Sequence, residues 1–290
     1  MKRLVILVVL VALAAIAGVV VRSSSCKGGA VAEIRGLVSH NAASDVREEI
    51  RQKYELAPGA RVEIGGINGA VKIETSDTRT AEVYIERTAS SDEALQRRQI
   101  KIEADANRLR INGETTDHNF LAKLLGSKAS ERVTLKLPRQ ISLYGKGVNG
   151  PFVAGDLEGE LELAGINGKV YVANAAGTAT LKGINGNVVF GMKRIEAEGV
   201  TLSGINGNIE LQLPADLNAD FDASGMNGRV TADMPNVSID KGKRGSYWAR
   251  IGSGGSGITA KGINGNIRLT STTPSVPSTP STPATDSTRN

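Results

Sequence analysis

From Arg61 onward apolar residues recur at every second position in short runs, each closed by glycine or a polar turn. Alternation of period two over such lengths is the pattern of a strand with one face on a core and the other in water. It is legible at Arg61 to Ile64, Ala70 to Glu74, Ala81 to Arg87, Ile100 to Glu103, Arg108 to Ile111 and Arg132 to Leu137. It continues at Lys169 to Val172, Thr178 to Lys182, Asn187 to Phe190, Val200 to Leu202, Asn208 to Leu211 and Ala219 to Ala223. Asp92 to Gln99 and Asn119 to Leu125 read as short helical insertions that cap the strand array. The apolar spacing of four in Val46 to Tyr54 suits a short helix, although Tyr54-Glu55-Leu56 before Pro58-Gly59 equally starts the first strand.

A tetrapeptide of Gly, aliphatic, Asn and Gly punctuates these strands seven times, beginning at Gly66, Gly147, Gly165, Gly183, Gly204, Gly225 and Gly262. Successive starts differ by 81, 18, 18, 21, 21 and 37 residues, a basic period of 18 to 21 with a last gap near two periods and a first near four. Each period holds two strands, too little to bury its own apolar face, so such units must stack. The expected fold is therefore all-β: a β-solenoid of about 20-residue coils with Gly-aliphatic-Asn-Gly corners. Stacked ~4.8 Å apart, the corner amides of Asn68, Asn149, Asn167, Asn185, Asn206, Asn227 and Asn264 come into register as a ladder. Ile67, Val148, Ile166, Ile184, Ile205, Met226 and Ile263 then line the core. Asn206→Ala is expected to cost about 1 to 3 kcal/mol, because it removes a ladder partner and leaves buried backbone groups unpaired.

The two ends differ in kind from this middle. After Lys2 and Arg3, residues 4–21 are uncharged and apolar or small, long enough at ~1.5 Å per residue to cross most of a bilayer core as a helix. Residues 1–25 are thus a retained membrane anchor or a signal peptide, and Ala15-Ile16-Ala17 supplies a small-x-small pattern for cleavage after Ala17. Either reading means export to the cell envelope. Lipidation of Cys26 is a third reading, against which Ser23 stands where a bacterial lipoprotein signal prefers an aliphatic residue. Residues 26–59 read as a linker or stalk, 60–270 as the solenoid domain, and 271–290 as a Ser/Thr/Pro tail. In that tail Pro274, Pro277, Pro280 and Pro283 lie three apart, the repeat of a polyproline II segment.

Composition removes several functions. One cysteine and two histidines in 290 residues make no Cys/His metal cluster, and no cofactor motif is present. The net charge of +5 invites a nucleic-acid reading, but residues 60 to 270 carry 26 basic and 24 acidic groups interleaved, unlike a phosphate-binding stripe. No nucleic-acid partner is expected. Parallel β-helices also host polysaccharide-degrading enzymes, which need carboxylates clustered from neighbouring coils. The alternating Asp156, Glu158, Glu160 and Glu162, and Asp216, Asp220 and Asp222, read instead as solvated strand faces. His118 has no nucleophile near it in sequence, so no catalytic residue is assigned.

The best binding candidate is where the period breaks, in Lys241-Gly242-Lys243-Arg244-Gly245-Ser246-Tyr247-Trp248-Ala249-Arg250. Lys241, Lys243, Arg244, Tyr247, Trp248 and Arg250 gather four cations round the only tryptophan, and such anchors are typical of recognition surfaces. The alternative is that Trp248 covers the last coils as a cap. The exported start, the strand pair around Gly66-Ile67-Asn68-Gly69, and repeats ending in Gly262-Ile263-Asn264-Gly265-Asn266-Ile267-Arg268-Leu269 together resemble the bacterial domain family called putative adhesins, over roughly residues 60 to 270. The resemblance implies an exported, β-helical, adhesin-like domain of unknown function and defines no catalytic residues. The function expected is a non-catalytic envelope module binding a polysaccharide or surface protein. The alternatives are a self-assembling scaffold joined end to end and a membrane-tethered sensor.

Overall fold

The structure, a computed structural model, describes residues 38–40, 46–115 and 129–272. The expected membrane segment 4–21, the expected cleavage site at Ala17, Cys26, His118, the expected insertion at 119 to 125 and nearly all of the expected tail lie outside them. Among the described residues no helix is long and apolar enough to cross a membrane.

The described residues are all-β, with a single six-residue helix among them. In order the elements are β1 (Val38–His40), β2 (Val46–Glu55), β3 (Ala60–Gly65), β4 (Gly69–Ser76), β5 (Thr80–Ala89), α1 (Asp92–Arg97), β6 (Arg98–Asp105) and β7 (Arg108–Thr115). There follow β8 (Ala129–Pro138), β9 (Ile141–Val148), β10 (Phe152–Leu157), β11 (Leu161–Ile166), β12 (Val170–Lys182), β13 (Val188–Ser203) and β14 (Ile209–Leu213). The last are β15 (Ala219–Ser224), β16 (Val230–Asp233), β17 (Val237–Lys241), β18 (Tyr247–Ile251), β19 (Ser256–Lys261) and β20 (Ile267–Ser271). The twenty described strands belong to one hydrogen-bonded sheet that wraps round a main apolar core, with a small second cluster of Ala89, Ala94 and Ala129 under α1.

Pairings divide the sheet into two faces. The first runs β6, β7, β3, β9, β11, the end of β12, the end of β13, β19, β15, β18 and β17. The second runs β1, β2, β5, β8, β4, β10, the start of β12, the start of β13, β14, β20 and β16. Long β12 and β13 contribute to both. In the middle the ladders are parallel and relate residues 18 or 21 apart, as in Phe152↔Val170 and Val188↔Ile209. Inward positions such as Val62, Leu143, Phe190 and Phe221 are fully buried, while outward neighbours stay wet, which is why the sequence alternates. The corner aliphatics turn inward too, from Ile67 to Ile263, with Met226 the least covered at 8% exposure.

Chain order and stacking order part company twice. Asn68 and Asn149 are neighbours in the stack, so the 81-residue gap does not hold the further coils that its length in periods suggested. It holds instead β5, α1, the β6–β7 hairpin and β8. The second departure is at the other end. The corner at Asn264 pairs with Asn206 on one side and Asn227 on the other, so the last repeat lies between the two that precede it. β19 sits between β13 and β15, and β20 between β14 and β16, so the C-terminal strands are interior rather than edge strands.

The segment Val46 to Glu55, read as part of a stalk with helical spacing, is a strand, paired with β5 over ten positions from Val46↔Ala89 to Glu55↔Thr80. The domain therefore starts before residue 60. A spacing of four is a multiple of two, so Val46, Ile50 and Tyr54 satisfy a strand as well as a helix, and the partner β5 decides. The helical insertion at Asp92 forms, with Ser91 as its N-cap accepting the Ala94 amide at 3.2 Å, but only as far as Arg97.

Candidate functional site

Each corner needs backbone that only glycine supplies cheaply. Gly204 has φ of 58°, and Gly207 has φ of 152° with a would-be Cβ 2.3 Å from the carbonyl oxygen of Gly186 in the next layer. Any side chain there separates the layers. The asparagines between such glycines form the ladder: Asn149 Nδ2 donates to Asn68 Oδ1 at 2.9 Å, Asn167 to Asn149 at 2.9 Å, Asn206 to Asn185 at 2.8 Å and Asn227 to Asn264 at 2.9 Å. Their backbone amides donate to the preceding layer's aliphatic carbonyl, as Asn264 N–H does to Ile205 at 2.8 Å. A second ladder follows one turn later, where Asn187 Oδ1 accepts the Asn208 amide, Asn208 Oδ1 the Asn266 amide and Asn266 Oδ1 the Arg229 amide, each at 3.0 Å.

The first ladder lies at an exposed edge, not in the interior. Water therefore replaces a lost partner, and Asn206→Ala is expected to cost about 0.5 to 1.5 kcal/mol, below the range burial would give. An unchanged melting temperature would remove the ladder from the stabilising interactions.

Both ends of the ladder are closed by specific groups. At the start, Glu131 takes the place of a preceding layer: its Oε2 accepts the Asn68 amide at 2.8 Å, and the carboxylate is paired with Arg98 at 2.6 and 3.0 Å. Arg98 also donates to the Gly66 carbonyl, and Asn68 Nδ2 to that of Ala129 at 2.7 Å. Neighbouring Arg87 pairs with Glu48 and donates to the carbonyls of Leu95 and Arg98. At the far end the β17–β18 turn reaches back, Gly245 accepting the Met226 amide at 3.0 Å and Tyr247 Oη donating to the Gly228 carbonyl at 3.0 Å.

This places the candidate binding segment. Residues 241 to 250 form a hairpin whose left-handed residues Arg244 and Gly245 make its turn, and Tyr247 is buried with Lys241 Nζ 5.9 Å from its ring centre. Tyr247 is thus committed to the cap, while Lys243 and Arg244 stand in the turn. Trp248 and Arg250 point outward from β18. Trp248 is 42% exposed, lies opposite Asp222 on one side and Asp240 on the other, and carries the Arg250 guanidinium 5.3 Å from its ring centre. Arg250 is held 3.5 Å from Asp220. The six residues therefore divide into a cap and an outward platform.

A second exposed aromatic escaped the sequence reading. Tyr171, 44% exposed, lies on the second face between Val153 and Val189. Its signal was parity: in Val170-Tyr171-Val172 it takes the outward position of an alternating strand.

Four of the carboxylates weighed for catalysis, Asp156, Glu160, Glu162 and Asp220, are engaged in pairing. Glu160 accepts from Tyr144 Oη at 2.5 Å, and Glu162 meets Lys182 at 2.5 Å. Burial alone would raise the Asp156 carboxyl, but hydrogen bonds from Asn174 and Lys193, with Arg139 nearby, hold it below the ordinary range. A group held ionised in this way serves as an ion-pair partner rather than a general acid. Its contribution to stability is complete above the unfolded carboxyl value and is lost as pH falls through the lowered folded one.

No known family and no curated protein matches the sequence. Among solved structures, a putative cell adhesion protein from Clostridium sporogenes aligns over 77% of this chain and 99% of its own at 12% identity, with a TM-score of 0.40. A putative adhesin from Bacteroides fragilis aligns over 76% and 96% at 14% identity, with a TM-score of 0.30. A putative lipid binding protein from Parabacteroides distasonis aligns over 78% and 97% at 12% identity, with a TM-score of 0.20. Likenesses of this depth carry no argument about what this chain does.

Proposed function

We propose that this chain is a non-catalytic, adhesin-like module of the cell envelope, exported and held at a membrane by residues 4–21, whose two-faced stack is a β-solenoid. The parallel ladders at 18 and 21 residues support the solenoid reading, and the antiparallel strands at its ends are its caps. The observation that carries the function is Trp248, a half-open ring flanked by two carboxylates and covered on one side by a guanidinium. Such a ring offers an apolar plane ringed by hydrogen-bonding groups, suited to the alternating apolar and hydroxyl surfaces of a sugar. Envelope polysaccharide is therefore the favoured ligand over a surface protein.

The test is binding of the full chain to a panel of envelope polysaccharides, peptidoglycan and surface proteins. Saturable binding to one glycan class is expected, weakened about tenfold or more by Trp248→Ala with the melting temperature retained. Consumption of the glycan would overturn the non-catalytic reading. End-to-end assembly is the weaker reading, because the first face ends on antiparallel strands at both ends. Concentration-dependent sedimentation would favour it.

A further inference from the structure

The structure assigns a second binding surface to the edge that carries the Asn ladder: it is built to hold a linear anionic polysaccharide laid along the stack. The residues just before each corner motif, taken in stacking order, are Gly65, Lys146, Ala164, Lys182, Ser203, Lys261 and Ser224. Lysine alternates with a small residue. In chain order the alternation fails at the end, because Ser224 precedes Lys261, and the interposed last repeat restores it. The three lysines thus stand on alternate strands, about 9.6 Å apart at ~4.8 Å per strand.

The residues just after each motif add Lys169 and Arg229 on the other side of the same edge. Of the fourteen flanking positions, five are cationic (Lys146, Lys169, Lys182, Arg229 and Lys261) and none is acidic. All five are exposed, and among the described residues Lys146, Lys169 and Lys261 have no carboxylate partner, whereas Lys182 has Glu162. Between the two cationic rows lie glycines and ladder amides, a low polar strip with nothing to repel an anion. Beside it a groove of about 440 Å³ is lined by Asn187, Asn208, Asn266, Arg229, Glu210 and Arg268.

The opposite edge has the reverse character, with Asp77, Asp156, Glu158, Glu160, Glu196, Glu198 and Asp216 against Arg79, Arg139, Lys193 and Arg194. A balanced overall charge therefore conceals two edges of opposite sign. Six steps of ~4.8 Å make the ladder about 29 Å long. The three lysines span four of those steps, about 19 Å, and such a straight row of evenly spaced cations complements an extended chain with regularly spaced acid groups, not a compact ligand.

The probe is heparin, titrated into the full chain at low and at 0.5 M salt, with 20-nucleotide single-stranded DNA and an uncharged dextran in parallel. Heparin is expected to bind at low salt and to be released at 0.5 M. The triple variant Lys146→Gln, Lys169→Gln, Lys261→Gln is expected to bind heparin about tenfold or more weakly. The control Lys72→Gln, Lys101→Gln, Arg194→Gln removes the same charge from cations that pair with Glu74, Glu103 and Glu196, and should bind as the wild type does. Equal loss in both variants would reduce the effect to net charge and overturn the assignment, as would tighter binding of the oligonucleotide. Low-salt dimers abolished by the triple variant, without heparin binding, would give the edge to a second copy of the chain. Trp248→Ala should leave heparin affinity unchanged, so this result stands or falls apart from the Trp248 platform.

Discussion

A chain ending at Gly255 is expected to lose far more than its last two strands. β19 and β20 separate the layer of β13 and β14 from that of β15 and β16, so removing them leaves β15 and β16 without their parallel partners. The buried Ile258, Ala260, Ile263, Ile267 and Leu269 go with them, and Phe221 and Met226 lose their neighbouring layer. At about 1.5 to 3 kcal/mol for each large buried side chain, the loss is comparable with the whole stability of a typical domain. Residues 219 to 251 should therefore exchange their amides as an unfolded segment, while the layers from β3 to β14 keep their protection. A synthetic peptide of residues 256–272, added in excess, should restore protection at β15 and the native Trp248 fluorescence. Native-like exchange in the truncated chain would show that the two flanking layers close directly on each other.

The second large effect belongs to Glu131. Its side chain is 1% exposed and holds both Arg98 and the first amide of the ladder. Glu131→Ala leaves a largely buried guanidinium unpaired and the Asn68 amide without an acceptor, with an expected cost of about 3 to 5 kcal/mol. Replacing both partners, Glu131→Leu with Arg98→Met, should cost less than either single truncation, because no charge is then stranded. The comparison is made by denaturant unfolding of the three variants. Additive losses would show that the two residues stabilise the fold through separate contacts.

Most of the strands and the inward residues were legible because alternation and the corner motif are local properties. Gly204 and Gly207 announce a tight corner, and Ile205 between them points inward wherever the corner sits. Order in space is not local. Nothing in residues 225 to 265 says that the repeat at Gly262 precedes that at Gly225 in the stack. Only the pairings of Asn264 with Asn206 and Asn227 do. Val46 to Glu55 was ambiguous for a similar reason, since the strand it pairs with begins at Thr80. At the candidate site the sequence marked residues 241 to 250 as a break in the period but did not show their division into a cap and an outward face. That Tyr247 would serve the cap and Trp248 the surface follows from strand parity, set by the partner β15. The lysine row was incomplete in the sequence because the place of Lys261, between Ser203 and Ser224, exists only in stacking order.

The interposed last repeat also fixes how such a protein can grow. Copying a unit at the C-terminus would add sequence beyond β20, whose two sides are already taken by β14 and β16, so the copy would have nowhere to pair. Lengthening is open only between Gly147 and Gly204, where neighbours in the chain are also neighbours in space. There a duplicated unit inserts one more layer and leaves both closures untouched. The spacing of 18, 18 and 21 residues in that stretch, against the first gap of 81 and the last of 37, is the record such growth would leave.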